Sequence, residues 1–132
     1  MSSYMAGQPP RPTDAELEIL TVLWSRGPST VREVHENINK RKLAQYSTVL
    51  KFMQIMAEKG LVRRNEKQRA HVYEAAQPRE WTQQRLAGDL LQRAFGGSSK
   101  NLLMGALSAR RASKQELAEL RKILDDYEKG AK

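Results

Sequence analysis

Two Thr-x-x-Glu sequences, Thr13 with Glu16 and Thr30 with Glu33, constrain this chain most, because each has the spacing of a reciprocal helix N-cap. Between them stands Gly27-Pro28, a dipeptide that interrupts helices. The first third of the chain must therefore make two short helices joined by a tight turn. After the first cap, Leu17, Leu20, Leu23 and Trp24 share one helix face and predict a helix that ends near Arg26. After the second, Val31, Val34 and Ile38 form the inward face.

A third helix is expected from about Tyr46-Ser47, with Ser47 as cap, Val49, Met53 and Met56 facing inward and Gly60 just past the end. Leu61 to Arg64 and His71 to Glu74 then read as two short strands around a polar loop, a hairpin. From Pro78 the pattern is helical again. Trp81, Leu86, Leu90 and Leu91 mark one segment, Leu102, Leu103, Ala106 and Leu107 a second after Gly96-Gly97, and Leu117, Leu120, Ile123 and Leu124 a third opened by Ser113 and Glu116. Residues 1–12, with Pro9, Pro10 and Pro12, are expected to form a disordered arm.

Three helices followed by a hairpin is the plan of a winged helix-turn-helix, in which helix three enters the DNA major groove and the hairpin wing lies along the backbone. The expected class is thus mainly α with a small β-hairpin. A winged-helix domain over 13–77 precedes a helical dimerisation region over 78–132. At 132 residues neither half can bury a large core, so a second copy sharing an apolar face is a natural remedy.

Charge agrees with this plan. Lys and Arg number 23 against 15 Asp and Glu, a net +8 that suits a polyanionic partner. Residues 40–51 hold four basic side chains and no acidic one, and the wing carries Arg63, Arg64, Lys67 and Arg69 against Glu66. With no cysteine and two histidines, His35 and His71, no metal site or cofactor is expected. No nucleophile with its base and no Gly-rich phosphate loop is visible, so no enzyme is expected either. No apolar run approaches the roughly 20 residues of a membrane span, and the N-terminus lacks a signal-peptide layout, so a cytoplasmic protein is expected.

If Val49, Met53 and Met56 face inward, then Ser47, Thr48, Leu50 and Lys51 project the other way and form the expected base-reading set. Thr48 offers a hydroxyl and a methyl, Leu50 a contact for a thymine methyl, and Lys51 a charge for guanine or phosphate. Gln45 and Tyr46 stand where they could reach either phosphate or base. Arg63, Arg64, Lys67 and Arg69 are the expected phosphate contacts of the wing, with His71 as a further one. Arg32, at the start of helix two, reaches the backbone or pairs with Glu36.

The stretch TDAELEILTVLWSRGPSTVREVHENI, with YSTVLKFMQIMAEKGLVRR and RAHVYEAA, resembles the penicillinase and methicillin-resistance repressors, the BlaI/MecI/CopY-type family. The resemblance implies a homodimeric repressor that binds a palindromic operator, often of a β-lactam resistance operon. It places Ser47, Thr48, Leu50 and Lys51 in the base-reading stretch and Arg69 in the wing. It puts Leu102, Leu103, Leu107, Leu117, Leu120 and Leu124 in the dimerisation helices. Members of this kind are switched by a membrane sensor-protease pathway that cuts an Asn-Phe bond, where this chain has Gly105-Ala106. Copper-responsive members carry paired cysteines, and this chain has none. Two other readings remain: a winged helix that takes a small ligand between its helical segments, and a protein-interaction module, for which a basic helix three is the wrong sign.

Overall fold

The structure, a computed structural model, describes residues 8–131, so the first seven residues of the expected arm lie outside it. It divides into two compact units at Leu86/Ala87. The first contains α1 (Asp14–Arg26), β1 (Ser29–Thr30), α2 (Val31–Asn39), α3 (Tyr46–Lys59), β2 (Val62–Asn65) and β3 (Val72–Ala75). It also holds the start of α4 (Arg79–Phe95).

Both reciprocal caps form. The Thr13 N–H donates to Glu16 Oε1 at 2.9 Å and the Glu16 N–H to Thr13 Oγ1 at 3.2 Å. Thr30 and Glu33 repeat the pair at 2.9 and 3.2 Å. These four bonds satisfy amides that a helix start otherwise leaves open. Glu16 does more than cap: it is 1% exposed, and its second oxygen accepts from Lys59 Nζ at 2.8 Å. The beginning of α1 is thereby tied to the end of α3.

The core is one cluster in which Val34, Met53 and Met56 are wholly buried, with Ile19, Leu20, Val22, Leu23, Val31, Ile38, Val49, Leu61, Val62 and Tyr73 around them. The inward faces expected for α2 and α3 are found. That of α1 is rotated, for Ile19 and Val22 are buried while Leu17 and Trp24 are only half-buried. Trp24 instead donates its indole N–H to the Gln77 carbonyl at 2.9 Å and lies under Arg79, 5.9 Å from the ring centre.

Two further expectations change. Ser47 is not the cap of α3: Gln45 holds that place without a side-chain bond, and the helix begins at Tyr46. The hairpin strands lie one residue later than expected, and they belong to a three-stranded antiparallel sheet in the order β1-β3-β2. β1 pairs Ser29 with Tyr73 and Thr30 with Val72. Two residues after Gly27-Pro28 carry no strand signal of their own, and their pairing exists only because β3 is brought beside them. Gly60, at φ 83°, ends α3 in the left-handed region that favours glycine.

The part of the arm within the structure is not loose. Pro12 is buried, Pro9 and Pro10 are half-buried, and Arg85 of α4 donates to the Pro9 carbonyl while stacking over Trp81. Proline rings carry apolar surface whatever their helix propensity, and here Leu20, Leu61 and Trp81 receive it.

The second unit comprises the remainder of α4, α5 (Ser99–Ala109) and α6 (Lys114–Gly130). Gly96 and Gly97, at φ 56° and 84°, make the turn after α4, and the Gly97 N–H donates to the Leu91 carbonyl at 2.9 Å. Ser98 caps α5 through the Asn101 N–H, a cap the apolar spacing did not reveal. Ser113 accepts from the Glu116 N–H at 3.0 Å, the forward half of the expected box. No described residue from 87 to 131 is buried.

Met53 sits at the centre of the first unit, so Met53→Ala is expected to lower its stability by about 2–5 kcal/mol. Urea unfolding followed by circular dichroism measures this. A midpoint shift too small for 1 kcal/mol would place Met53 outside the core.

Candidate nucleic-acid interface

With Val49, Met53 and Met56 buried, α3 presents its other side to solvent over Ser47, Thr48, Lys51, Gln54 and Glu58, all exposed. α1, α2, α5 and α6 begin under Thr or Ser caps, whereas α3 begins without one. An uncapped start leaves first-turn amides and the positive end of the helix dipole available to an anion such as phosphate.

One flank of α3 is a groove whose walls come from three other segments. Arg32 of α2, Arg64 of β2, Arg69 and His71 of the wing, and Tyr46, Leu50 and Gln54 of α3 line it together. The expected residues Tyr46, Leu50, Arg32, Arg64 and Arg69 thus meet in one place. Leu50 is half-buried and packs against the core, so it forms the wall of the groove rather than its crest. Tyr46 is held edge-on against His35, ring centres 5.8 Å apart, while His35 Nε2 donates to the Ala44 carbonyl at 2.7 Å. This contact lies at the first residue of α3.

Ser47, Thr48 and Lys51 lie on the next face of α3, beside Phe52 and Ile55. Arg63 and Lys67 line a separate surface with Pro28 and Glu74, which Arg64 also borders. There Arg63 pairs with its cross-strand neighbour Glu74 at 3.5 Å. The wing's basic residues are therefore divided between two surfaces, and Arg64 belongs to both. Arg64 donates to Glu66 at 2.8 Å, and its guanidinium is held still further above its high ordinary value, first by the Tyr73 hydroxyl and then by Glu66.

The basic run before α3 is less free than its composition suggests. Lys42 and Arg41 reach back to Glu18 of α1 at 2.9 and 3.3 Å, and Arg41 also donates to Asn37. Lys42, and after it Arg41, holds the Glu18 carboxyl below its ordinary value against an opposing effect of burial. Two of the four cations in residues 40–51 thus have an acidic partner more than twenty positions away. Arg32 and Lys51 are exposed, and the expected Arg32 partner Glu36 is exposed as well. Gln54 escaped the sequence reading, although its spacing of three from Lys51 and seven from Ser47 marks the same crest.

Among the described residues no group of three or more His, Asp or Glu side chains could hold a metal ion, and no helix is long and apolar enough to cross a membrane.

Three helices, a paired wing and a cationic groove beside the third helix define a winged helix-turn-helix. The chain belongs to the penicillinase repressor family, whose model matches residues 12–126. It is 33% identical over 118 residues to the transcriptional regulator BlaI of Mycobacterium tuberculosis (strain CDC 1551 / Oshkosh), covering 89% of this chain and 85% of that protein. It is 22% identical over 115 residues to the penicillinase repressor of Staphylococcus aureus, covering 87% and 91%. Among solved structures, that of the DNA-binding domain of the repressor BlaI aligns with 55% of this chain and 88% of its own, at 24% identity and a TM-score of 0.49. The family consists of transcriptional repressors, which are not enzymes.

The Glu18 pairing carries a pH signature. A carboxyl depressed in the folded state stabilises above its ordinary value of 4.5 and loses that stabilisation as pH falls through the lower folded value. Wild type should therefore exceed Glu18→Gln in unfolding midpoint at neutral pH, and the gap should close as the pH drops below about 4.5. A gap independent of pH would show that the ion pairs contribute nothing.

Proposed function

We propose that this chain is a homodimeric transcriptional repressor that binds a palindromic operator duplex through α3 and the wing, in the cytoplasm. The observation that carries the reading is the groove in which Arg32, Arg64 and Arg69, from α2, β2 and the wing loop, line the flank of α3. Cations gathered along the flank of an exposed helix suit a phosphate strand bordering a major groove. Membership of a repressor family supports the same conclusion.

Pairing is assigned to the region 78–132. Leu102, Leu103, Leu107, Leu117 and Leu120 are only half-buried, and Leu90 and Leu124 are 45% and 56% exposed. A unit with no buried residue has too little core to hold itself together, and an apolar surface shared with a second copy supplies one. Leu86 differs from this set, for it borders the small cavity beneath Pro9 and Pro12 on the first unit. Two linked recognition helices then bind a symmetric site far more tightly than either alone, through effective concentration. Loss of pairing releases the operator. A membrane sensor-protease pathway, which the resemblance implies, would have to act at another bond, because exposed Gly105-Ala106 within α5 stands at the expected one. An enclosed cavity of the first unit, about 10 Å³ between Pro12, Leu20 and Trp81, accommodates one water at most, which disfavours a small ligand there.

Arg32→Ala and Arg69→Ala should each weaken binding to all duplexes alike and reduce the slope of log affinity against log salt by about 1. Fluorescence anisotropy over a salt series measures this, and an unchanged slope removes that arginine from the interface. Leu120→Asp should place a charge in the shared apolar face and give monomers in sedimentation. A persistent dimer would refute the role assigned to this region.

A further inference from the structure

Resting on the repressor reading, we infer that Gln54 determines sequence at the operator by reading an adenine in the major groove, next to the base pair reached by Lys51. Opposite the buried ridge of α3, the exposed positions Ser47, Lys51, Gln54 and Glu58 follow one another at steps of four, three and four residues. Such steps make a straight crest on a helix, and this crest points directly away from the core. It is the part of α3 that enters a groove first.

The four side chains differ in what they can distinguish. A serine hydroxyl bonds to any base, and a lysine ammonium is a point charge that favours guanine or phosphate. Gln54 alone among them carries a donor and an acceptor in one planar group, matched to adenine N6 and N7. Among the described residues no side-chain hydrogen bond engages that amide, so it need break none to reach a base. Gln54 also borders the groove shared with Arg32 and Arg69, so the cations that would hold the DNA backbone flank this turn of the helix. One turn further, Glu58 presents a negative charge that phosphates repel, and the reading crest ends at Gln54. Lys51 and Gln54 are three residues apart, about 4.5 Å along the axis, against a base-pair rise of about 3.4 Å, which sets their targets on neighbouring pairs.

The test selects duplexes from a random-sequence library with the full chain as wild type, Gln54→Ala, Gln54→Glu and Lys51→Ala, then measures affinities for the wild-type site and an unrelated duplex. Wild type should return a palindrome with an A·T pair at one symmetric position. Gln54→Ala should lose preference at that position, next to the one altered by Lys51→Ala, and bind the site roughly 5- to 150-fold more weakly with no change on the unrelated duplex. Gln54→Glu should move the preference toward cytosine, whose amino group a carboxylate accepts. An unchanged Gln54→Ala palindrome, or an equal weakening on both duplexes, overturns the inference while leaving the repressor reading intact. Failure of wild type to select any common site overturns both.

Discussion

The arrangement of this protein depends on one short stretch, Ser29-Thr30, where two kinds of structure meet. The Thr30 side chain caps α2, while the backbone of the same residue pairs with Val72 of the wing, and Ser29 beside it pairs with Tyr73. A residue shared by a helix start and a sheet edge couples the helix-turn-helix to the hairpin with no intervening linker. The residue that caps α2 is thus also a strand partner of the wing. Tyr73, 1% exposed, completes the coupling by entering the core formed by α1, α2 and α3. The convergence of Arg32 with Arg64 and Arg69 follows from these attachments, since more than thirty residues of chain separate it from both.

Ion pairs divide the cations into those that hold the fold and those left to meet a partner. Lys59 is committed to the buried carboxylate of Glu16, and Lys42 and Arg41 to Glu18. Arg63 is shared with Glu74 and Arg64 with Glu66. Arg64 also lines the groove beside α3, where the exposed Arg32 and Arg69 join it, and the exposed Lys51 stands on the crest. A net charge of +8 is thus a poor guide to the interface, because partners remote in sequence cancel part of it locally.

Stability is distributed as unevenly as charge. The first unit has a closed core around Met53 and Met56, while the described part of the second buries nothing and leaves Leu90, Met104, Ile123, Leu124 and Tyr127 between 45% and 76% exposed. The first unit is held by its own core, and the second leaves the apolar faces of its helices open to solvent.

Most of the first unit was legible in the sequence because its signals are local. A Thr three residues before a Glu, a Gly after an apolar run and the spacing of Val49, Met53 and Met56 act within one or two turns of helix, and the structure bears them out. The exposed face of α3 was half legible: Ser47, Thr48 and Lys51 followed from the inward face by subtraction, Gln54 on the same crest was passed over, and Leu50 was set outward although it packs inward. The rest depended on partners far along the chain. Strand β1 needs β3, the burial of Pro12 needs the apolar surface around it, and the neutralisation of Lys42 needs Glu18. The sequence by itself determined which segments are helical and which faces are apolar, since those are contests between neighbouring residues. Only the tertiary structure decided which cations remain free and which surfaces come together, because those are set by contacts that no local pattern records.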